Sequence, residues 1–229
     1  MTEDQRIRQI KALIRGTAWA NIEPQLLPND ASFRRYHRLQ PTENMLAMPS
    51  AMLMDAPPEH EDVKPFIAVA ERLSALGYSA PKIFEHNISK GLLLLEDFGD
   101  DSFNKVVSLH PFREHELYSA AVDLLVDLHD RAIRNPLPIT ARRRHTVPAY
   151  DQDLLIKESS LILHWHMNAV YGEDDERNEA FIEAMKHPLS RVVEGKKVLV
   201  LRDFHADNLM WLPTRTNVQR VGLLDFQDA

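Results

Sequence analysis

The sequence predicts an α+β protein with two lobes, a small antiparallel sheet followed by a mainly helical part. Two observations lead to this prediction. Short segments that alternate apolar and polar residues dominate roughly the first hundred positions, as is typical of half-buried strands. After Asp101, apolar residues instead recur at intervals of three and four, as on one face of a helix. We therefore expect one lobe over residues 1–98 and a second over residues 99–229.

In the first lobe, a helix is predicted before the strands. Ile7, Ile10 and Ile14 form one apolar stripe over residues 5–18. The remaining elements of this lobe are four predicted strands and one more helix. The strands are expected at 32–39, 51–54, 81–86 and 91–96, and the helix at 61–76, where Gly77 ends it.

The second lobe is predicted to contain three long helices and, at its end, three short strands. The helices are expected at 114–132, 152–169 and 174–185, and the strands at 197–201, 209–212 and 221–224. His164 and His166 lie two positions apart in one of these helices. Their side chains would point in different directions, so we do not expect them to share a metal ion.

Composition and charge exclude several classes of protein. The chain has 229 residues, 27 Lys or Arg and 34 Asp or Glu, which gives a net charge of −7. Binding to a nucleic-acid backbone depends on excess positive charge, so we expect no nucleic-acid partner. There is no cysteine, and no apolar run approaches the roughly 20 residues that span a bilayer. We expect a cytoplasmic protein without a membrane partner, and the oligomeric state stays open.

Two apolar segments near the end of the chain each lead into a carboxylate. Residues 198–201 precede Asp203, and residues 221–224 precede Asp225. If both segments are strands of one small sheet, the two carboxylates lie at the same end of it, together with Asn208. Magnesium prefers oxygen ligands and usually takes one or two carboxylates beside nucleotide phosphates. The alternative is that these residues only cap turns.

The spacing Asp203-x-x-x-x-Asn208, followed by Leu224-Asp225-Phe226, resembles the catalytic loop and metal-binding segment of protein kinases and of the aminoglycoside phosphotransferase family. The resemblance implies a protein-kinase-like fold, with ATP and Mg²⁺ as cofactors. It implies that Asp203 is the catalytic base, and that Asn208 and Asp225 bind the metal. Supporting roles are expected for three neighbours, Arg202, His205 and Asp228.

Five further sequence segments resemble one particular group of kinases within this family. The segments SFRRYHRL, MLMDAPPE, LLLLEDFGD, LRDFHADNLMWLP and VGLLDFQDA resemble bacterial kinases that phosphorylate N-acetylmuramate and N-acetylglucosamine at the anomeric hydroxyl in cell-wall recycling. The similarity extends over almost the whole chain. It implies an ATP-dependent sugar kinase whose small-molecule partner is an amino sugar. A kinase for an aminoglycoside or choline, or a nucleotide-binding protein without activity, remains an alternative.

The resemblance also assigns residues to the nucleotide. The triplet Asp97-Phe98-Gly99 matches the kinase metal segment in letters, but it precedes the catalytic loop. In the family this position belongs to the linker between the lobes, whose backbone binds adenine. We therefore expect Glu96, Asp97 and Phe98 at the adenine, with Leu94 and Leu95 as possible pocket walls.

Two usual parts of the family pattern are missing on the phosphate side. No glycine-rich loop is present, although backbone N–H groups near Ser32 could approach a phosphate. The segment 51–54 lacks the lysine that kinases use for the phosphates. Arg34 or Arg35 could replace it, with Glu71 on the following helix as the acidic partner. The alternative is that the two arginines only form a basic strand surface.

The family pattern continues with further helices after the metal segment, whereas the printed sequence ends at Ala229. We therefore expect a shortened C-terminal lobe and an exposed apolar patch where such helices would dock. A hydrolytic metal site is a weaker alternative, because Asn208 and two aspartates without a ligating histidine make a poor two-metal centre.

Overall fold

Five antiparallel strands form the main sheet of the computed structural model, which describes residues 2–28, 33–42 and 48–229. The spatial order is β1-β2-β3-β5-β4, and every neighbouring pair is antiparallel. The strands are β1 Gln25–Leu26, β2 Arg35–Leu39, β3 Ala51–Asp55, β4 Ile83–Asn87 and β5 Leu92–Glu96. The antiparallel sheet predicted for the first lobe is thereby confirmed.

The two faces of this sheet carry different residues, because side chains alternate along each strand. One face packs against helix α1 (Glu3–Ile14), and Leu39, Leu53, Leu92 and Leu94 of the sheet join Ile10 and Ile14 in one buried cluster. The strand register puts a second set of side chains on the opposite face. This set comprises Tyr36, Arg38, Met52, Met54, Leu93 and Leu95.

Helix α1 is held to the sheet by a buried ion pair. Its N-terminus has a capping box between Thr2 and Gln5. The guanidinium of Arg6 contacts the carboxylate of Asp55, with 2.8 Å between Nε and Oδ1, and Nη1 donates to the carbonyl of Lys90 at 2.7 Å. Arg6 and Asp55 are both buried, so a charge on either side would be left without compensation if the other were lost.

Helix α2 spans Val63–Ala75 and begins at Asp62, whose carboxylate accepts a hydrogen bond from the N–H of Lys64 at 3.0 Å. It is preceded by Glu61 and ends before Gly77, as the sequence predicted. Phe66 of this helix stacks on Phe226, with ring centroids 5.0 Å apart. The contact links α2 directly to the segment that contains Asp225.

Helices and short strands follow the sheet along the chain. They are α3 Phe103–Leu109, α4 Glu114–Asp130, β6 Leu137–Pro138, β7 Arg144–His145, β8 Leu209–Trp211 and β9 Val221–Leu223. On α4, Tyr118, Val122 and Val126 are 43%, 57% and 60% exposed and recur every four residues, so they form one apolar stripe. An exposed apolar docking patch was predicted from the sequence, and the assignment of this stripe to that patch stays a prediction.

Residues 148–200 form a compact unit of their own, and residues 1–147 with 201–229 form the other. The smaller unit contains α5 Gln152–Ser159, α6 Asn168–Tyr171 and α7 Asp175–Val193, with a π-helical turn at Ile162–Met167. His164 and His166 lie in this turn, and both are exposed. The boundary predicted at residues 98 and 99 stays a prediction.

The strand predicted at residues 197–201 is wrong. Its apolar residues are buried, with Leu199 at 7% and Leu201 at 5% exposure. However, no strand in the described part of the chain pairs with this segment. Alternating burial alone does not make a strand, because the backbone groups also need a hydrogen-bonded neighbour.

None of the described helices combines the length and hydrophobicity that crossing a bilayer requires.

Candidate functional site

The hairpin of β8 and β9 brings the two polar segments of the sequence together. The strands are antiparallel, and Leu209 pairs with Leu223 at the open end. The residue before β8 and the residue after β9 are therefore neighbours. The N–H of Leu224 donates to the carbonyl of Asn208 at 2.9 Å. This hydrogen bond joins the loop over residues 202–208 to the loop over residues 224–228.

Both loops contain strained backbone. Among the described non-glycine residues, positive φ angles occur at Arg202 (56°), Asn217 (52°) and Asp225 (53°). Such conformations cost of order 1–3 kcal/mol for residues with a side chain, and they persist where the surrounding structure enforces them. Two of the three lie in the loops that carry Asp203 and Asp225. Strain of this kind is concentrated at sites where side-chain direction matters.

The loop over residues 202–208 is organised around Asn208. Its side-chain Nδ2 donates to the carbonyl of Asp203 at 3.0 Å and lies 3.2 Å from Nε2 of His205. Its backbone N–H donates to the carbonyl of His205 at 2.9 Å. Because the amide nitrogen makes these contacts, the amide oxygen of Asn208 is the atom left to bind a cation. The side chains of Asp203 and His205 are exposed.

The start of α3 provides a second support for this loop. Asn104 donates from Nδ2 to Oδ1 of Asp207 at 2.7 Å, and its N–H donates to the carbonyl of Ala206 at 3.2 Å. The other carboxylate oxygen of Asp207 lies 3.8 Å from Nδ1 of His205. Asp207 therefore faces α3. The sequence analysis did not single out Asn104, and its only signal is a position near a helix start.

The second loop holds Asp225 and connects back to Arg202. Oδ1 of Asp225 accepts hydrogen bonds from Nη1 of Arg34 at 2.9 Å and from Nε2 of Gln227 at 2.8 Å. Arg202 donates from Nη1 to the carbonyl of Asp228 at 3.2 Å, which is a second connection between the two loops. The Asp228 carboxylate is exposed and lies 3.4 Å from the Gln227 amide.

Arg34 bridges two acidic groups. Besides Asp225, it contacts Oε2 of Glu61 with Nε at 3.2 Å and Nη2 at 3.1 Å. Burial alone would lower the pKa of the Arg34 guanidinium, but Tyr36, Glu61 and Asp225 raise that pKa above its ordinary value. The guanidinium is thus a permanent positive charge directly beside the candidate metal ligand.

The structure separates the residues considered for the phosphate side. Arg35 and Glu71 are both exposed, and Arg35 lies opposite Asp55 on the neighbouring strand. Arg34 and Glu61 have side chains that are 15% and 19% exposed and lie next to Asp225. Ser32 lies outside the described residues.

The linker after β5 has its acidic side chains engaged. Glu96 contacts Arg215, with 2.5 Å between Oε1 and Nη2, and its Oε2 accepts from the N–H of Lys82 at 3.3 Å. Asp97 contacts Arg38, with 2.8 Å between Oδ2 and Nε. Burial would lower the pKa of the Arg38 guanidinium, but Asp100 and Asp97 raise it. What the linker can offer a ligand is therefore its backbone.

The candidate wall residues of the nucleotide pocket lie on opposite faces of β5. Leu94 belongs to the buried cluster beneath α1, whereas Leu95 pairs with Met52 on the face that carries Arg38. Because Leu94 is fully buried in that cluster, it cannot line a pocket on the Arg38 face. Leu95 lies on the Arg38 face, and its role as a pocket wall stays a prediction.

The side chains present fit magnesium. The Asp225 carboxylate and the Asn208 amide oxygen are hard oxygen ligands of the kind that Mg²⁺ prefers. In the described ranges, no three His, Asp or Glu residues lie close enough to hold a metal by themselves. A magnesium ion held by Asp225 and Asn208 would take its other ligands from phosphate oxygens and water, as is usual for this metal.

The sheet, the helices and the two loops together have the fold of protein-kinase-like phosphotransferases. An aminoglycoside phosphotransferase solved with ADP bound superimposes with a TM-score of 0.58 at 16% identity, covering 99% of this chain and 71% of that one. A choline/ethanolamine kinase family protein from Mesorhizobium loti gives 0.57 at 10% identity, covering 97% of this chain and 65% of that one. The predicted fold class is confirmed.

The chain belongs to the phosphotransferase enzyme family, which matches residues 23–229. An N-acetylmuramate/N-acetylglucosamine kinase from Pseudomonas aeruginosa is 31% identical over 245 aligned positions, which cover all of this chain and 65% of the relative. The Caulobacter vibrioides protein of the same name is 32% identical, with 95% of this chain and 66% of the relative covered. The chain thus spans about two thirds of the length of these relatives.

Proposed function

We propose that this chain carries the catalytic centre of an ATP- and Mg²⁺-dependent kinase that phosphorylates a hydroxyl of an amino sugar. The observation that carries the proposal is the joined pair of strained loops at the open end of the β8–β9 hairpin. They bring Asp203, Asn208 and Asp225 into one region. Membership of the phosphotransferase enzyme family supports the reaction class.

In the proposed reaction, Asp203 orients the acceptor hydroxyl and takes its proton. The acceptor oxygen forms a bond to the γ-phosphorus of ATP as the bond from that phosphorus to the bridging oxygen breaks, and ADP leaves. Asp203 suits this role because its side chain is exposed while its backbone is held by Asn208. A general base contributes about 10²–10⁴ in rate, and positioning contributes more.

Asn208 and Asp225 are the proposed magnesium ligands. When bound, the metal would neutralise charge on the phosphates that face the two loops. The protein's own part is to fix the two ligands relative to each other, which the Leu224–Asn208 hydrogen bond and the Phe226–Phe66 contact support. Arg202, His205 and Asp228 are proposed to keep the loops in this arrangement.

Arg34 is the proposed substitute for the missing lysine. It reaches the metal-binding loop from the start of β2, and Glu61 holds it from the start of α2. In this position its guanidinium can pair with phosphate oxygens, for which its planar donors are well suited. At the other end of the nucleotide, the backbone of Glu96, Asp97 and Phe98 is proposed to bind adenine.

The proposed acceptor is N-acetylmuramate or N-acetylglucosamine, phosphorylated at the anomeric hydroxyl in cell-wall recycling. The support is the name shared by the relatives from P. aeruginosa and C. vibrioides at 31% and 32% identity. The fold alone does not favour this acceptor, because the structural neighbours include aminoglycoside and choline/ethanolamine kinases.

A coupled ADP-release assay tests the proposal. ATP-Mg²⁺ is supplied with N-acetylmuramate, N-acetylglucosamine, kanamycin or choline, and ADP production is compared with a control lacking acceptor. We expect turnover with the two amino sugars. Turnover with only kanamycin or only choline would show that the proposed acceptor is wrong, while the proposed kinase reaction would stand. ATP binding without turnover for any acceptor, in this chain and in a longer reading frame, would favour a nucleotide-binding protein without activity.

A further inference from the structure

The linker over residues 96–100 connects β5 to the turn before α3, and its three acidic side chains are all paired with arginines. Glu96 pairs with Arg215, and Asp97 and Asp100 pair with Arg38. We propose that Arg38 and Arg215 are positioning residues that hold this linker from two sides and so fix the backbone that recognises the nucleobase. The inference rests on the proposed nucleotide-binding function and adds two residues to it.

Arg38 holds the linker from the sheet. It lies on β2, and its Nη1 contacts Asp100 at 2.8 Å while Nη2 donates to the carbonyl of Gly99 at 3.2 Å. Its partner Asp97 has a side chain that is only 2% exposed. A carboxylate buried to this extent needs its cation, so Asp97 cannot turn toward solvent without a cost in free energy. Arg38 and the N–H of Gly99, which donates to Oδ1 of Asp97 at 2.9 Å, together determine the direction in which Asp97 points.

Arg215 holds the linker from the β8–β9 connection. Its Nη2 contacts Glu96, its Nη1 donates to Oγ of Ser79 at 2.7 Å, and its guanidinium carbon lies 5.0 Å from the ring centroid of Phe98. One planar group thus makes an ion pair, a hydrogen bond and a cation–π contact at the same time. A lysine could keep the charge but could not make all three contacts.

Gly222 of β9 limits the position of Phe98 further. A Cβ atom added to Gly222 would lie 2.9 Å from Cδ2 of Phe98, which is closer than real contacts allow. The ring therefore packs directly against the backbone of β9 and is also covered by Arg215. With Asp97 fixed by Arg38 and Phe98 fixed by Arg215 and β9, the peptide unit between them has a defined orientation.

The same strand connects the two ends of the proposed nucleotide site. Arg34 and Arg38 are four residues apart on one face of the β2 segment, about 13 Å along an extended chain. Arg34 contacts Asp225, and Arg38 contacts Asp97. In the proposed nucleotide site, Arg38 therefore acts at the end that binds the base, and Arg34 acts at the end that binds the phosphates. It follows that a substitution at the linker can weaken base recognition without affecting phosphate binding.

Titration calorimetry with two ligands separates these effects. Mg²⁺-ADP contains base and phosphates, whereas Mg²⁺-tripolyphosphate contains phosphates alone. For Arg215→Met and Arg38→Met we expect the Kd for ADP to rise about tenfold, equivalent to about 1.4 kcal/mol. The Kd for tripolyphosphate should change less than about twofold. Arg215→Lys should give an intermediate ADP value. Arg220→Met, on the same hairpin but stacked on Trp211, is the control and should leave both unchanged.

Hydrogen exchange of residues 97–100 in the nucleotide-free chain gives a second measurement, and both arginine variants should exchange faster there. An unchanged Kd for ADP would overturn the inference while leaving the kinase proposal intact. Equal losses of ADP and tripolyphosphate affinity would also overturn it, because they would indicate general destabilisation. If the unsubstituted chain binds neither ADP nor ATP, the proposed function fails and this inference fails with it.

Discussion

At the scale of single residues, the loop over residues 202–208 contains two exposed aspartates with different surroundings. The Asp207 carboxylate accepts a hydrogen bond from Asn104 of α3. The Asp203 side chain is exposed, and only its backbone carbonyl accepts from the amide of Asn208. If Asp203 is the base, Asp203→Asn should lower kcat by about 10²–10⁴ and leave the Kd for ATP within about twofold. The coupled ADP-release assay measures kcat, and titration calorimetry measures the Kd for ATP.

Asp207→Asn is the matched control for this prediction, because it removes one carboxylate from the same loop and keeps the side-chain size. We expect it to lower kcat by less than about tenfold. Comparable losses in the two variants would assign the effect to the loop as a whole. Full turnover in Asp203→Asn would remove Asp203 from the mechanism.

Arg34, directly before β2, and Arg35, its first residue, provide a second residue-scale comparison, since neighbouring side chains of an extended segment point to opposite sides. Arg34 contacts Glu61 and Asp225, and Arg35 is exposed. Arg34→Met should raise the Kd for Mg²⁺-ATP by at least about tenfold, because a charge-assisted phosphate contact is lost. Arg35→Met should leave it nearly unchanged. Titration calorimetry measures the Kd for Mg²⁺-ATP in both variants. Equal Kd values would exclude Arg34 as the substitute for the missing lysine.

At the scale of elements, one buried ion pair helps attach α1 to the sheet, beside the apolar cluster around Ile10 and Ile14. Arg6→Met would leave the Asp55 carboxylate buried without a cation. We expect the free energy of unfolding in urea to fall by about 3–5 kcal/mol. Lys11→Met, on the same helix, removes only the exposed pair with Glu23 and should cost less than about 1 kcal/mol. Similar losses of unfolding free energy in Arg6→Met and Lys11→Met would mean that the buried ion pair stabilises the protein no more than the exposed one.

The β8–β9 hairpin depends on close packing at Gly222. A Cβ there would meet Phe98, Met210 and Leu212 at 2.9, 3.0 and 3.1 Å. Gly222→Ala should therefore lower the free energy of unfolding by about 1–3 kcal/mol, as overpacking does. Gly16→Ala is the control, because an added Cβ at that position meets no atom within 4 Å. Thermal unfolding of the two variants measures the difference, and an unperturbed Gly222→Ala would contradict the packing argument.

Elements with a local signal could be predicted from the sequence, and those without one could not. The periodicity of residues 61–76 and 114–132 gave α2 and α4 nearly to the residue. The segment 197–201 has a run of four apolar residues, as a buried strand does, and it buries Leu199 and Leu201, but it pairs with no described strand. An apolar run indicates burial, and burial alone does not supply the hydrogen-bonded neighbour that a strand requires.

At the scale of the whole molecule, ligand binding should appear as a change in thermal stability. A ligand at 100 times its Kd adds about 2.7 kcal/mol to the free energy of unfolding. For a chain of this length we therefore expect Mg²⁺-ADP to raise Tm by about 5–10 °C. In Asp225→Asn the increase should be the same with Mg²⁺ and with EDTA, because the metal-dependent part is lost. A magnesium-dependent shift that persists in this variant would remove Asp225 as a ligand.

The candidate site was predicted only as far as its residues are close in sequence. The spacing of Asp203, Asn208 and the segment after β9 was sufficient to propose the base and the metal ligands. The contacts of Arg215 with Glu96 and of Arg34 with Asp225 join residues separated by 119 and 191 positions. No local periodicity records such a contact. It arises only when the sheet, α2 and the hairpin are packed together. Arg215 was therefore found only in the structure, and so were the contacts that Arg34 and Glu96 make.

The ion pair between Arg34 and Asp225 has a consequence for the order of ligand arrival. Without nucleotide, the proposed metal ligand already has a tethered counter-ion, so a free magnesium ion must compete with a cation that the protein itself supplies. A magnesium ion that arrives on a nucleotide does not face the same competition, because its phosphates give Arg34 a new anionic partner. The metal and the nucleotide should therefore load together.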